Sequence, residues 1–184
     1  TEIYTLSLHD ALPIYRNRTI QVAGLIVGGP MTSPALADLW SRTHQLPARD
    51  RVLGFARLML GTDYEYGDKS AKPIDGIVGT VDKAIDCSGF VRAVFNEAFP
   101  QEGLLARDDL NALRLQTTDL FVDIDDPQPA DLICWDGHVG IVYDAEKKLF
   151  IGAQTSTGVM VAKYGTGYWA STKIVKKFRK WKSL

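Results

Sequence analysis

The apolar side chains of this chain change their spacing part-way along it. Val52, Leu53, Phe55, Ala56, Met59 and Leu60 recur at helical spacing, and so do Phe90, Val91, Val94, Phe95, Ala98 and Phe99. Asp50 and Asp86 stand where N-caps belong, and Gly61 and Pro100 stand where the two stripes stop. Shorter helices are read over Asp38 to Gln45 and Asp109 to Leu115, with residues 67–85 as a loop rich in Gly and Pro. Later the period falls to two. Leu132 to Trp135, His138 to Tyr143, Leu149 to Gln154, Gly158 to Ala162 and Ile174 to Phe178 read as successive short strands with tight connections. Helices first and an antiparallel sheet second restrict the chain to an α+β fold.

At 184 residues, with 46% apolar and 23% charged side chains, the chain can bury one core, so disorder is excluded. The net charge of −1 offers no global attraction to nucleic acid or an anionic membrane. The basic run Lys173, Lys176, Lys177, Arg179, Lys180 and Lys182 alternates with Ile174, Val175 and Phe178 and reads as a solvated strand edge. Two cysteines, Cys87 and Cys134, are too few for a disulfide scaffold or a thiolate zinc site. No apolar run reaches the roughly 20 residues of a membrane span.

The N-terminus divides the chain. Tyr4 to Ile14 spells YTLSLHDALPI, which looks like the in-frame translation of a sequencing-library adapter, so residues 1–14 are set aside together with His9 and Asp10. In residues 15–37, Arg16, Asn17 and Arg18 precede the apolar stretch Ile20 to Gly29 and then Ala35-Leu36-Ala37. This segment reads either as a signal peptide or as an irregular start with a buried strand or helix. Residues 38–184 carry no repeat and no low-complexity linker and read as a single catalytic domain.

The chemistry gathers at Cys87. The first turn of a helix favours a thiolate through its unpaired N–H groups and the positive end of the macrodipole, and Ser88 and Gly89 leave room for a carbonyl to approach. His138, in Gly137-His138-Val139-Gly140-Ile141-Val142, lies on a core strand and can pair with that thiolate if the fold brings the two together. His44 lies on a polar helix and reads as solvated. Cys134, beside Trp135, reads as a buried small side chain.

Three segments, Asp86-Cys87-Ser88-Gly89-Phe90-Val91, Ala130-Asp131-Leu132-Ile133 and Gly137-His138-Val139-Gly140-Ile141, resemble the motifs of the NlpC-like cell-wall cysteine peptidases. Gly61-Thr62-Asp63-Tyr64-Glu65-Tyr66-Gly67 is similar to that family's tyrosine segment, and the resemblance spans roughly residues 50–179. It implies a papain-like core and hydrolysis of amide bonds in peptidoglycan stem peptides, next to D-glutamate. Cys87 would be the nucleophile, His138 its acid–base partner and Tyr64 part of the oxyanion site. Asp86, Ser88 and Trp169 are candidates for contact with substrate, and Trp181 for the groove. No metal or organic cofactor is implied, and the partner is a peptidoglycan peptide met by a monomer in the periplasm, at the wall or outside the cell.

The chain departs from the family at one position. The family usually places a third polar residue on the strand after its histidine, and here that place is held by Gly152. Gln154 lies two residues on, on the same strand face, and its amide oxygen could orient the imidazole instead. Alternatives on the same core are an amidase toxin, which brings an immunity protein as partner, and an acyltransferase. A further alternative is a wall-binding module with impaired catalysis.

Overall fold

The computed structural model describes residues 20–22, 25–27, 33–71, 83–104, 109–171 and 174–184. Tyr4 to Ile14, most of the loop read over 67–85, and Lys173 lie outside the described residues. Ile20–Val22 (β1) and Leu25–Val27 (β2) pair as an antiparallel hairpin. Helices α1 (Ser33–His44) and α2 (Ala48–Leu58) follow, and then α3 (Cys87–Ala98).

The α3 boundaries follow from local chemistry. Asp86 has extended backbone, and its carboxylate accepts from the Gly89 N–H at 2.6 Å, which satisfies a donor that the first turn cannot. Pro100 begins a 3-10 turn, Pro100–Glu102, and the helix ends before it. The start of α2 corrects the sequence reading. Pro47 occupies the N-cap position without a side-chain bond, and Asp50 lies inside the first turn, where its charge faces the positive end of the helix dipole. Residues 109–115 form only α4 (Ala112–Leu115), capped by the Asn111 side chain on the Arg114 N–H at 2.9 Å.

Among the described residues, six strands make one antiparallel sheet in the order β3-β8-β4-β5-β6-β7. They are β3 (Phe121–Ile124), β4 (Leu132–Trp135), β5 (His138–Asp144), β6 (Leu149–Gln154), β7 (Gly158–Lys163) and β8 (Lys177–Trp181). A one-turn helix, α5 (Tyr168–Ser171), precedes β8. Helices before an antiparallel sheet give the α+β class that the change of period requires.

Both faces of the central strands are covered. Leu132, Cys134, Val139, Ile141, Ile151 and Ala153 join the core of α2 and α3. Ile133, Trp135, Val142 and Phe150 pack on the other face with Tyr164, Trp169 and Phe178. This is why β4 reads as an unbroken apolar run.

The basic C-terminal strand is not an edge. β8 lies between β3 and β4, displaced by about three residues from the stretch that alternation suggested. Its charges are paired there: Arg179 bonds Asp123 at 2.7 Å and the Leu115 and Phe121 carbonyls at 2.9 and 2.5 Å, and Lys177 bonds Asp123 at 2.7 Å. Trp181 is buried and stacks on Phe99 at 5.7 Å, so it belongs to the core and not to a groove.

Candidate active site

Cys87 is the first residue of α3 and is 7% exposed. The backbone N–H of Val139 lies near enough to favour its thiolate, which sets Cys87 close to β5, one residue from His138, the first residue of that strand. The two candidate reacting residues of the sequence therefore stand at the first positions of two elements, α3 and β5, that pack on each other. His138 is 8% exposed.

The electrostatics of Cys87 run opposite to the helix-terminus expectation. Burial pushes its thiol above the ordinary value and the neighbouring Asp86 carboxylate adds to this, while the N–H groups of Val139, Ser88 and Cys87 itself pull the other way and lose. The free thiol is the resting form unless a cation stands beside it.

Asp86 and Ser88 are turned into the protein. Asp86 accepts from the Ser88 hydroxyl at 2.9 Å, from the Gly89 N–H and from Lys69 Nζ at 2.6 Å. Burial pushes the Asp86 carboxyl up, but these three donors outweigh it and hold it below its usual value. Lys69 was not read from the sequence. It is partly buried against a carboxylate next to the candidate nucleophile, a role that no local motif announces.

Tyr64 is brought close to Cys87. Burial first, and then the neighbouring Cys87, raise its phenol above the ordinary value, while the nearby Thr155 side chain at the β6–β7 turn opposes them. It keeps its O–H at neutral pH and can donate. The segment that carries Tyr64 is pinned twice to the hairpin, by Gly61 N–H on Val159 O at 2.9 Å and Val159 N–H on Thr62 O at 2.8 Å. Gly158 makes this approach feasible: its φ is +68°, and a Cβ there would run into the Thr62 carbonyl. Thr155 and Gly158 were also missed from sequence, since only the folded hairpin shows what they touch.

Gly152 faces Gly140 across β5 and β6, a Cβ on Gly152 falling 3.5 Å from Gly140 Cα. The register Ile141↔Ile151, carried on by three residues, sets Gln154 opposite His138. The Gln154 amide nitrogen donates to the Met160 carbonyl of β7 at 3.3 Å. Trp169, half-buried on α5, packs on Trp135 and Phe150 and against the His138 ring.

The model of the NlpC/P60 family matches residues 61–177, more than half of the chain, from the tyrosine segment to the first residue of β8. The chain belongs to the NlpC/P60 family. Members of this family are generally cysteine peptidases or amidases that act on peptidoglycan, and the observed helix-then-sheet arrangement is the family's papain-like α+β fold. A comparison with curated proteins finds no match. Among the described residues of this NlpC/P60 domain, no cluster of three or more His, Cys, Asp or Glu side chains is placed to hold a metal ion. No helix among them is long and apolar enough to cross a membrane.

Proposed function

We propose that this NlpC/P60 protein is a cysteine hydrolase that cuts an amide bond in peptidoglycan stem peptides, next to D-glutamate. The observation that carries the reading is the seating of Cys87 at the N-terminus of α3 against the first residues of β5, which bear His138. His138 takes the thiol proton, and the resulting imidazolium offsets the burial and the Asp86 charge that otherwise keep the thiol neutral. The thiolate attacks the carbonyl carbon, and the imidazolium then protonates the leaving amine. Water, deprotonated by the imidazole, releases the acyl-enzyme.

Tyr64 and the Cys87 N–H stabilise the oxyanion. Gln154, at the end of the strand next to β5, accepts from the imidazole N–H turned away from Cys87. Asp86 and Ser88 form the polar floor beneath the bound peptide, with Lys69 neutralising that floor. The protein works as a monomer on the wall, in the periplasm or outside the cell.

One observation favours a second reading, a wall-binding module with impaired catalysis: the net upward push on the Cys87 thiol together with Gly152 at the usual third position. Digestion of purified peptidoglycan, with the fragments weighed by mass spectrometry, separates the two. The hydrolase yields stem-peptide fragments ending at one bond, and Cys87→Ala yields none. Binding of intact wall without new fragments from the wild type would establish the second reading instead.

A further inference from the structure

The imidazole of His138 lies among aromatic rings. Trp169 is 5.0 Å away between centroids and tilted by 36°, Trp135 is 5.4 Å away, and Phe150 stands edge-on at 6.5 Å and 82°. The rings also hold one another: Trp169 is 4.7 Å from Trp135 and 4.9 Å from Phe150, and Trp135 is 4.8 Å from Phe150. Trp135 and Phe150 are fully buried, whereas Trp169 is not.

The paired glycines make room for this arrangement. A Cβ on Gly140 would stand 2.7 Å from the Phe150 ring, and one on Gly152 would stand 3.4 Å from it. The Phe150 ring therefore lies over Gly140, where a Cβ would force it to shift, and in ordinary contact with Gly152.

We propose that Trp169 is a positioning residue for His138, fixing the plane of the imidazole and favouring its charged form by offering a π face. An aromatic face attracts a cation electrostatically, which an aliphatic side chain of similar bulk does not. Tyr168 packs edge-on against Trp169 at 5.1 Å and 87°, bracing it from the outer side. Titratable groups on neighbouring elements include Cys87 of α3 and its N-cap Asp86, Tyr168 of α5, Asp136 of the β4–β5 turn and Lys176 before β8. Asp136 and Lys176 are paired at 3.1 Å, so their charges largely offset each other.

This inference rests on the reading of Cys87 and His138 as the reacting pair, and a substrate-free measurement keeps the two apart. The rate of Cys87 alkylation by iodoacetamide at neutral pH reports how far the imidazole stabilises the thiolate. Trp169→Leu is expected to slow alkylation about tenfold and to lower kcat by a similar factor with KM little changed, and Trp169→Phe to restore both. Thermal melts of both variants identify any loss of folding, and Trp169→Phe, the milder change, keeps the comparison available if Trp169→Leu does not fold. Unchanged alkylation in Trp169→Leu with a raised KM would overturn the inference and make Trp169 a substrate contact. If alkylation follows the expected order while peptidoglycan stays intact, the substrate reading fails and the positioning role of Trp169 stands.

Discussion

Cys87 lies under opposing influences whose balance decides whether it reacts. Burial and Asp86 favour the thiol, and the backbone donors at the helix start and on β5 favour the thiolate. The helix start alone does not win, and in the proposed mechanism the imidazole supplies the difference. It follows that His138→Ala should slow alkylation of Cys87 at neutral pH more than any cap or loop substitution, as read by peptide mapping of labelled protein. Cys134 should stay unlabelled in the folded protein, because it is wholly buried and its thiol is pushed up to about 12. Gln154→Ala is expected to cost about 10- to 100-fold in kcat with a smaller change in KM, by analogy with the loss of partners that orient metal-ligating histidines. Steady-state kinetics check it, and an unchanged kcat would remove Gln154 from the mechanism. The placement of Cys87 at a helix start and of His138 at a strand start was legible because caps and apolar neighbours mark both positions locally. Lys69, Thr155 and the aromatic surround of His138 were not, because each acquires its role from a residue far away in the chain.

The elements divide in the same way. α3 and the strands β4 to β7 were read almost to the residue, since a strong apolar stripe or alternation coincided with a clear cap or turn. β3 and the register of β8 were missed because their alternation is filled by charges, Asp123, Lys177 and Arg179, that pair only once the strands are adjacent. The α3 cap is testable. Asp86→Ala should cost about 1–2 kcal/mol for the lost cap and more for the partly buried Lys69 left without its carboxylate. Because the folded-state Asp86 carboxyl is held below its usual value, its contribution is present above the unfolded value. It is lost as the pH falls through the folded one. Denaturant melts should therefore show the gap between wild type and Asp86→Ala closing below about pH 4. At the β6–β7 turn, Gly158→Ala combines a strained left-handed backbone with a clash on Thr62. It should both destabilise the fold and lower activity by moving Tyr64, as read from Tm and kcat.

At the scale of the whole molecule, one sheet serves two cores, and the site lies where the chains of both come together. Val139 and Cys87 belong to the helical core, whereas the His138 ring is held against Trp135, Phe150 and Trp169 of the other. Loosening either core should therefore disturb the pair. The buried Cys134 thiol makes global stability sensitive to alkali. Its folded value is raised from 9.0 to about 12, so its contribution is complete below about pH 9 and is lost as the pH rises towards 12. The Tm of Cys134→Ala should fall less steeply than that of the wild type between about pH 9 and pH 11. The central claim is that Cys87 and His138 form one nucleophilic unit that hydrolyses a stem-peptide amide. The most direct test is a double-mutant cycle, measuring kcat/KM on a stem-peptide substrate for wild type, Cys87→Ala, His138→Ala and the double variant. All three variants should fall to the same low floor, with the double no worse than the singles. Substantial activity in Cys87→Ala, or losses that simply add, would contradict the account.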